Sequence, residues 1–379
     1  MRYISSGHSH GEAITVILDG IPSHLTIDLD FINGELKRRQ KGYGRGGRMK
    51  IESDNVKITG GVLFGKTTGG PITLVIENKD YQNHQTYMDP FNYDLSNYQP
   101  VKVPRPGHAD LVGAMKYNVR DMRIIFERAS ARETVSRVVV GAICMLILKE
   151  LDIEIRSFVK NIAGIEVLDH EVDWSYVEKS PVRMPHVEKT KEAMKKIDEV
   201  KMNKDTCGGI IHVEAIHVPA GLGSFTTWDK KLDAKIAMAF LSIQACKGVS
   251  FGDGFNLANH LGSEVHDEII YKDGFTRRSN HYGGFEGGMT TGMPIVVEAV
   301  FKPIPTLMRP LNSVHIETKE VVPSHIERSD VCVLPSASII GEHTLAYELT
   351  KEILNTFPSA SMEQLQTSVF NYRQYLKEY

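Results

Sequence analysis

The stretch Glu127-Arg-Ala-Ser-Ala-Arg-Glu133, running on through Thr134-Val-Ser-Arg-Val-Val-Val-Gly-Ala-Ile-Cys-Met-Leu-Ile-Leu148, constrains the fold more than any other part of the chain. From Val138 to Leu148 no residue is charged or strongly polar, so a helix there is apolar on every side and has to be covered on every side. The run falls short of the about 20 residues that cross a bilayer, so the cover is protein. Ser130, with Glu133 three residues later, reads as a capping box ahead of the run and predicts the helix N-terminus. A buried N-terminus carries partial positive charge, and Arg128 and Arg132 flank this one, which suits an anion, most simply a phosphate. Surface arginines beside an ordinary cap would leave the same pattern.

The 379 residues, 41% hydrophobic and 24% charged, are ample for a sizeable core, and length alone suggests two or three domains. A net charge of −3 gives no global reason to expect nucleic acid or an acidic membrane as partner. The four cysteines, Cys144, Cys207, Cys246 and Cys332, show no CxxC pair or paired spacing and read as reduced core thiols. Residues 1–20 lack the layout of a signal peptide and no apolar run is long enough to span a membrane, so a cytoplasmic protein is expected.

Along the chain, Gly7-His-Ser-His-Gly11 leads into a strand at Ala13–Leu18. His8 and His10, two apart, would share one face of an extended segment. A helix is predicted over Asp28–Arg38. It runs into Arg39-Gln-Lys-Gly-Tyr-Gly-Arg-Gly-Gly-Arg48, a cationic glycine-rich loop that lacks the strand before and helix after of a dinucleotide turn. Strands are predicted at Val56–Ile58, Val62–Phe64 and Ile72–Ile76. A long loop over Asn78–Val103, suited to covering something, delivers Pro104-Arg-Pro-Gly-His-Ala-Asp110. Further strands are expected at Ile153–Val159, Ile162–Val167, Ile211–Val218 and Ile295–Phe301. Helices are expected at Leu232–Lys247 and Ser338–Leu354, with a solvated amphipathic segment at Val187–Lys204. Blocks of strands and helices without strict alternation argue for an α+β fold.

Arginines concentrate in loops, at Arg39, Arg45, Arg48, Arg105, Arg128, Arg132 and Arg328, where they suit capture of phosphate or carboxylate. His10 and His108 sit in glycine-flanked segments that can aim a side chain into a site. A metal site on His8 and His10 lacks an obvious third ligand, so none is expected.

Gly7-His-Ser-His-Gly11 with Asp19-Gly-Ile-Pro22, Arg38-Arg-Gln-x-Gly-Tyr-Gly-Arg45, Arg105-Pro-Gly-His-Ala-Asp110 and Glu127-Arg-Ala-Ser-Ala-Arg-Glu-Thr134 resemble the chorismate synthase family. So do Gly252-Asp-Gly-Phe255, Lys302-Pro-Ile-Pro-Thr306 and Arg328-Ser-Asp330, and the likeness runs from end to end. It implies one domain over residues 1–379, a β-α-β sandwich assembled as a homotetramer, and a need for reduced FMN, with NADPH as reductant in some members. It implies loss of phosphate and a proton from 5-enolpyruvylshikimate 3-phosphate to give chorismate, without net redox change. By the same resemblance His10 corresponds to the histidine thought to protonate the reduced flavin. His108 corresponds to the one facing the substrate, and Asp330 to the aspartate near flavin N5. Arg128, Ala129, Ser130, Gln244, Ala245, Gly287, Lys302, Pro303, Ile304, Pro305, Thr306 and Arg328 match flavin-contacting positions. Arg39, Arg45, Arg48, Arg105 and Arg132 match the basic cluster around the substrate, and Arg39 and Arg45 are also associated with NADPH.

The sequence departs from the family's usual pattern in places. Asn78-Lys-Asp-Tyr-Gln-Asn-His84 lacks the tryptophans often found there, and Thr291, Glu298, His315 and Ser336 replace the common Asn, Arg, Asp and Ala. None falls on a position expected to carry chemistry. Two other classes compete. An ordinary flavin or NADPH oxidoreductase would need a dinucleotide fingerprint. An RNA-binding protein, suggested by Arg45-Gly-Gly-Arg48, would need a basic face.

Overall fold

Side chains that point alternately to the two faces of each strand build two antiparallel sheets, with burial alternating along the inner strands Ala13–Asp19, Ile72–Glu77 and Ile295–Phe301. The computed structural model describes residues 1–46, 53–272, 274–327 and 329–379. In the first sheet the strands lie in the order Arg2–Ser6, Ala13–Asp19, Ile72–Glu77, Val56–Gly60. Val16 pairs with Leu74 and Ile14 with Ile76, and all four are buried. The second sheet has the order Cys246–Phe251, Ile295–Phe301, Gly209–Ile216, Glu154–Ile162, Ile165–Glu166. Here Val213 faces Val297 in register, again with both buried.

The principal helices are α1 (Leu29–Gln40), α2 (Asp110–Tyr117), α3 (Arg123–Ala129), α4 (Thr134–Glu150), α5 (Val187–Met202), α6 (Leu232–Leu241), α7 (Leu334–Thr356) and α8 (Met362–Glu378). The apolar run read from the sequence is α4. It packs on the Ala13–Asp19 strand, while α7 packs on Glu154–Ile162 and Gly209–Ile216, and the two helices lie against each other. Helices filling the space between two sheets give the β-α-β sandwich of an α+β fold. One continuous apolar core includes residues of both sheets and of α1, α4 and α7.

Several boundaries differ from the sequence expectation. Asp28 caps α1, its carboxylate accepting from Phe31 N at 2.9 Å, and the helix runs on to Gln40. The helix expected to reach Lys247 stops at Leu241. Ala245 there adopts a left-handed backbone (φ 69°), so that Cys246–Phe251 can turn and pair with Ile295–Phe301. Helix α7 begins at Leu334, before Ser338, with Pro335 in its first turn, where a missing N–H costs nothing. The sequence reading passed over α8, although Ser361 caps it by accepting from Gln364 N at 3.4 Å. All four cysteines are free and buried. Cys207 and Cys332, 125 positions apart, are brought side by side by a parallel bridge that no spacing rule reveals.

The α4–α7 contact depends on Gly141. A Cβ there would lie 2.4 Å from His343 Cβ and 2.5 Å from its carbonyl oxygen. Gly34 in α1 faces open space. Thermal or denaturant unfolding of two variants should therefore separate in sign. Gly141→Ala is expected to lose at least about 2 kcal/mol through overpacking. Gly34→Ala is expected to gain up to about 1 kcal/mol from helix propensity.

Candidate active site

The N-termini of α4 and α7 converge on one cavity of about 470 Å³, with Thr134 of α4 and Ser336, Ala337 and Ile340 of α7 in its wall. Two helix ends aim partial positive charge into the same space. Ser130 caps the approach to α4, but not as the expected box. Its Oγ accepts from Arg132 N at 3.2 Å in a short 3₁₀ turn, Ala131–Glu133. The Glu133 carboxylate instead accepts from Ser136 Oγ (2.8 Å) and Gln244 Nε2 (3.3 Å).

Beneath the cavity the cations are fixed by carboxylates. Asp54, fully buried, accepts from Arg39 Nη2 through one oxygen and from Arg132 Nη1 through the other, both at 2.6 Å. Burial alone would raise the Asp54 pKa, but the two guanidiniums hold it below the usual carboxylate range. Arg132 Nε donates to Asn78 Oδ1 (2.7 Å), and Asn78 Nδ2 donates to the Gly11 carbonyl (2.6 Å), pinning the Gly7–Gly11 turn. Within that turn His8 is exposed, so the shared face expected for His8 and His10 does not form.

Both candidate histidines are held by carboxylates. His10 Nδ1 lies 2.8 Å from Glu127 Oε1, and its backbone N–H donates to Oε2, also at 2.8 Å. His108 Nδ1 lies 2.6 Å from Asp110 Oδ1, while Arg105 Nε donates to Asp110 Oδ2 at 2.8 Å. Against burial, hydrogen bonds from His108 and Arg105 keep the Asp110 pKa low, and those from His10 do the same for Glu127. An ionised carboxylate only accepts, so Nδ1 of each ring carries a proton and Nε2 is the nitrogen that can meet a ligand.

The cavity brings together most of the expected site residues: His10, His108 and Asp330; Arg39, Arg45, Arg105 and Arg132; Ala129, Ser130, Gln244, Ala245, Lys302, Ile304, Pro305 and Thr306. Asp330 Oδ1 accepts from Gly46 N at 2.5 Å and Oδ2 lies 3.4 Å from Arg45 Nε, so it also anchors the glycine-rich loop. Three residues expected at the flavin do not line this cavity. Arg128 is exposed and donates to Ser5 Oγ at 2.8 Å; Pro303 is exposed; Gly287 sits in the turn between Phe285–Glu286 and Met289–Thr290, beside Phe225. Arg48 and Arg328 fall outside the described residues. Ser336, a departure expected to lie away from chemistry, is buried in the cavity wall.

Sequence reasoning missed the roles of Glu127 and Asp110, although both stand inside recognised motifs. It also missed Arg123, which lies in an unremarkable helix between Glu127 (3.6 Å) and Glu327 (3.5 Å). The Asn78–Val103 loop contributes His84 and Tyr87 to the cavity, with the His84 ring 4.4 Å from that of His10. Burial and the neighbouring His10 push the His84 pKa down.

Fixed cations, converging helix ends and two carboxylate-held imidazoles define an enzyme that binds multiply anionic ligands and moves protons beside them. The sequence profile of the chorismate synthase family matches residues 1–354. Proteins named chorismate synthase from Geobacillus kaustophilus and Exiguobacterium are 51% and 50% identical, each alignment covering all of both chains. A solved structure titled "Crystal Structure of Chorismate Synthase" superposes with a TM-score of 0.80 at 39% identity, covering 100% of this chain and 98% of that one. The chain belongs to the chorismate synthase family. Its activity is that of a carbon–oxygen lyase, releasing phosphate from 5-enolpyruvylshikimate 3-phosphate to form chorismate in the shikimate pathway.

Removing the carboxylate that orients His10 tests this geometry. Glu127→Gln should lower turnover by roughly 10²-fold, within the range of positioned acid–base groups, with the fold retained by circular dichroism. Wild-type turnover in the folded variant would show that the dyad is idle.

Proposed function

We propose that the lyase reaction runs against a reduced FMN held in the 470 Å³ cavity, with His10, His108 and Asp330 as the proton-handling groups. The observation that carries this reading is the pair of carboxylate-held histidines opening on one cation-rich cavity. The cavity wall fits a flavin. Ile243, Pro305 and Ile340 offer apolar surface. Gln244 Oε1 and Arg39 Nε are buried without hydrogen-bond partners among the described residues, ready for a polar ligand. When bound, the reduced flavin would supply an electron-rich ring beside the breaking C–O bond and finish as it began.

The chain's own residues do the rest. Arg45, Lys302 and the α4 and α7 N-termini balance the charge of substrate and cofactor. His108, fixed by Asp110, protonates the departing phosphate oxygen through Nε2. His10, fixed by Glu127, keeps the flavin in the protonation state that the reaction needs. Asp330 accepts the proton that the substrate loses. The loop bearing His84 and Tyr87 excludes water from the mouth. NADPH, in members that reduce their own flavin, would meet Arg39 and Arg45.

We further read the chain as a single cytoplasmic catalytic domain that assembles as a homotetramer. One core joining both sheets supports the first point. Exposed Phe225, Trp228 and Phe255, the first of them beside the Gly287 turn, support the assembly, which would also bring that turn into use. Among the described residues no helix is long and apolar enough to cross a membrane.

An anaerobic assay comparing photoreduced FMN with NADPH plus FMN tests the cofactor. Chorismate should form with the former, and no turnover with any reduced flavin would overturn the reading. Oxidised FMN should bind at least about tenfold more tightly when substrate is present, because the first ligand immobilises side chains that both need. Equal affinities in a flavin fluorescence titration would reject this coupling.

Asp330→Asn keeps the acceptor for Gly46 N but cannot take a proton. It should bind FMN and substrate within a few-fold of wild type yet turn over at least about 10²-fold more slowly. Wild-type decay of the flavin signal in single-turnover stopped-flow would make Asp330 an anchor only.

A further inference from the structure

We infer that His10, Asp80 and His84 form an inhibitory site for a divalent transition-metal ion of the zinc type, at the mouth of the catalytic cavity. One ligand-capable atom from each of the three side chains lies within 4.8 Å of the other two. Two imidazoles and one carboxylate are the three-ligand set that zinc accepts when a fourth position stays open, and here both imidazoles line the cavity. His84 Nε2 lies 3.5 Å from Asp80 Oδ2, close to the roughly 3.3 Å between two ligands of a tetrahedral zinc ion. Gathering the third donor takes a contraction of at most about 1.5 Å, which small side-chain rotations supply.

The surroundings resemble those of a built metal centre. Glu127 holds His10 Nδ1 at 2.8 Å, so that Nε2 is the nitrogen that can reach the ion, in the carboxylate–histidine–metal arrangement that fixes ring orientation and raises ligand basicity. The Tyr87 hydroxyl engages His84 Nδ1 in the same way, and Asn83 Nδ2 donates to Asp80 Oδ1 at 2.9 Å, with Oδ2 directed at His84. Asp80 is fully buried and both rings are largely so, so the donors are already partly desolvated and ordered. Arg123 stands nearby, but Glu127 and Glu327 lie within 3.6 Å of it and offset its charge. No sequence spacing shows the set, because His10 comes from the first turn of the chain and the other two from a distant loop.

A bound ion would occupy the His10 nitrogen that the reaction uses. Metal binding therefore stands on the geometry alone, while inhibition also rests on the role proposed above for His10. Titrating the purified full-length protein with CoCl₂ reads binding directly, since four- or five-coordinate cobalt absorbs far more strongly than the six-coordinate aqua ion. The expected result is one cobalt per chain, displaced by ZnCl₂. Affinity should fall at least about tenfold in His84→Gln and in Asp80→Asn, and by about 10–100-fold in Glu127→Gln. Circular dichroism confirms that each variant is folded, and using two ligand variants guards against loss of one. ZnCl₂ should inhibit the wild type, and inhibition of His84→Gln should need at least about tenfold more metal. A cobalt spectrum that stays six-coordinate, or equal affinity in wild type and both ligand variants, would overturn the site. Tight binding with undiminished turnover would overturn the inhibitory role and, separately, the use of His10.

Discussion

The buried Asp54 carboxylate is the constraint on which the rest of the site depends. It holds Arg39 from the end of α1 and Arg132 from the turn before α4, and Arg132 in turn holds Asn78 and the His10 turn. Two guanidiniums at 3% and 6% exposure are tolerable only with such a partner, since breaking a buried pair costs about 3–5 kcal/mol. One small anion thereby ties a helix end, the end of the Ile72–Glu77 strand and the Gly7–Gly11 turn into a single unit. The cations it fixes point where flexible surface arginines could not be held.

The same device recurs with histidine. Asp110 and Glu127 each hold an imidazole by Nδ1, and each also lies near an arginine. The carboxylates are thus shared between a structural cation and an imidazole that lines the cavity. Moving either partner would be felt by the other. This explains how a cavity lined by so many charges keeps a defined geometry before any ligand arrives. Charges fixed in advance need no reorganisation when the transition state forms, and that saving supplies much of the rate enhancement in many enzymes.

Much of this was legible in the sequence, for identifiable reasons. The apolar run Val138–Leu148 announced a helix covered on all sides, and alternation at Ile211–Val218 announced a strand, found at Gly209–Ile216. Most residues that the family resemblance singled out do gather in one cavity. What stayed hidden was pairing across long separations. Nothing local links Asp54 to Arg132, Cys207 to Cys332, or His10 to His84. Ser130 and Glu133 had the spacing of a capping box, yet tertiary partners drew Glu133 away to Gln244 and Ser136. Helix α6 ended early because strand pairing at Cys246–Phe251 outweighed helical propensity.

That α4 and α7 bring the same ends to the cavity has a consequence for synthesis. Two helices that start at one place cannot be joined by a short hairpin, so some 180 residues containing the second sheet intervene between Glu150 and Leu334. A nascent chain that has left the ribosome as far as Asp330 holds nearly every polar group of the site but lacks the wall formed by Ser336, Ala337 and Ile340. The apolar flank of α4 then waits, exposed, until α7 emerges. Such a topology favours late, all-at-once closure over stepwise assembly, and the incomplete chain is the form in greatest need of chaperone shelter.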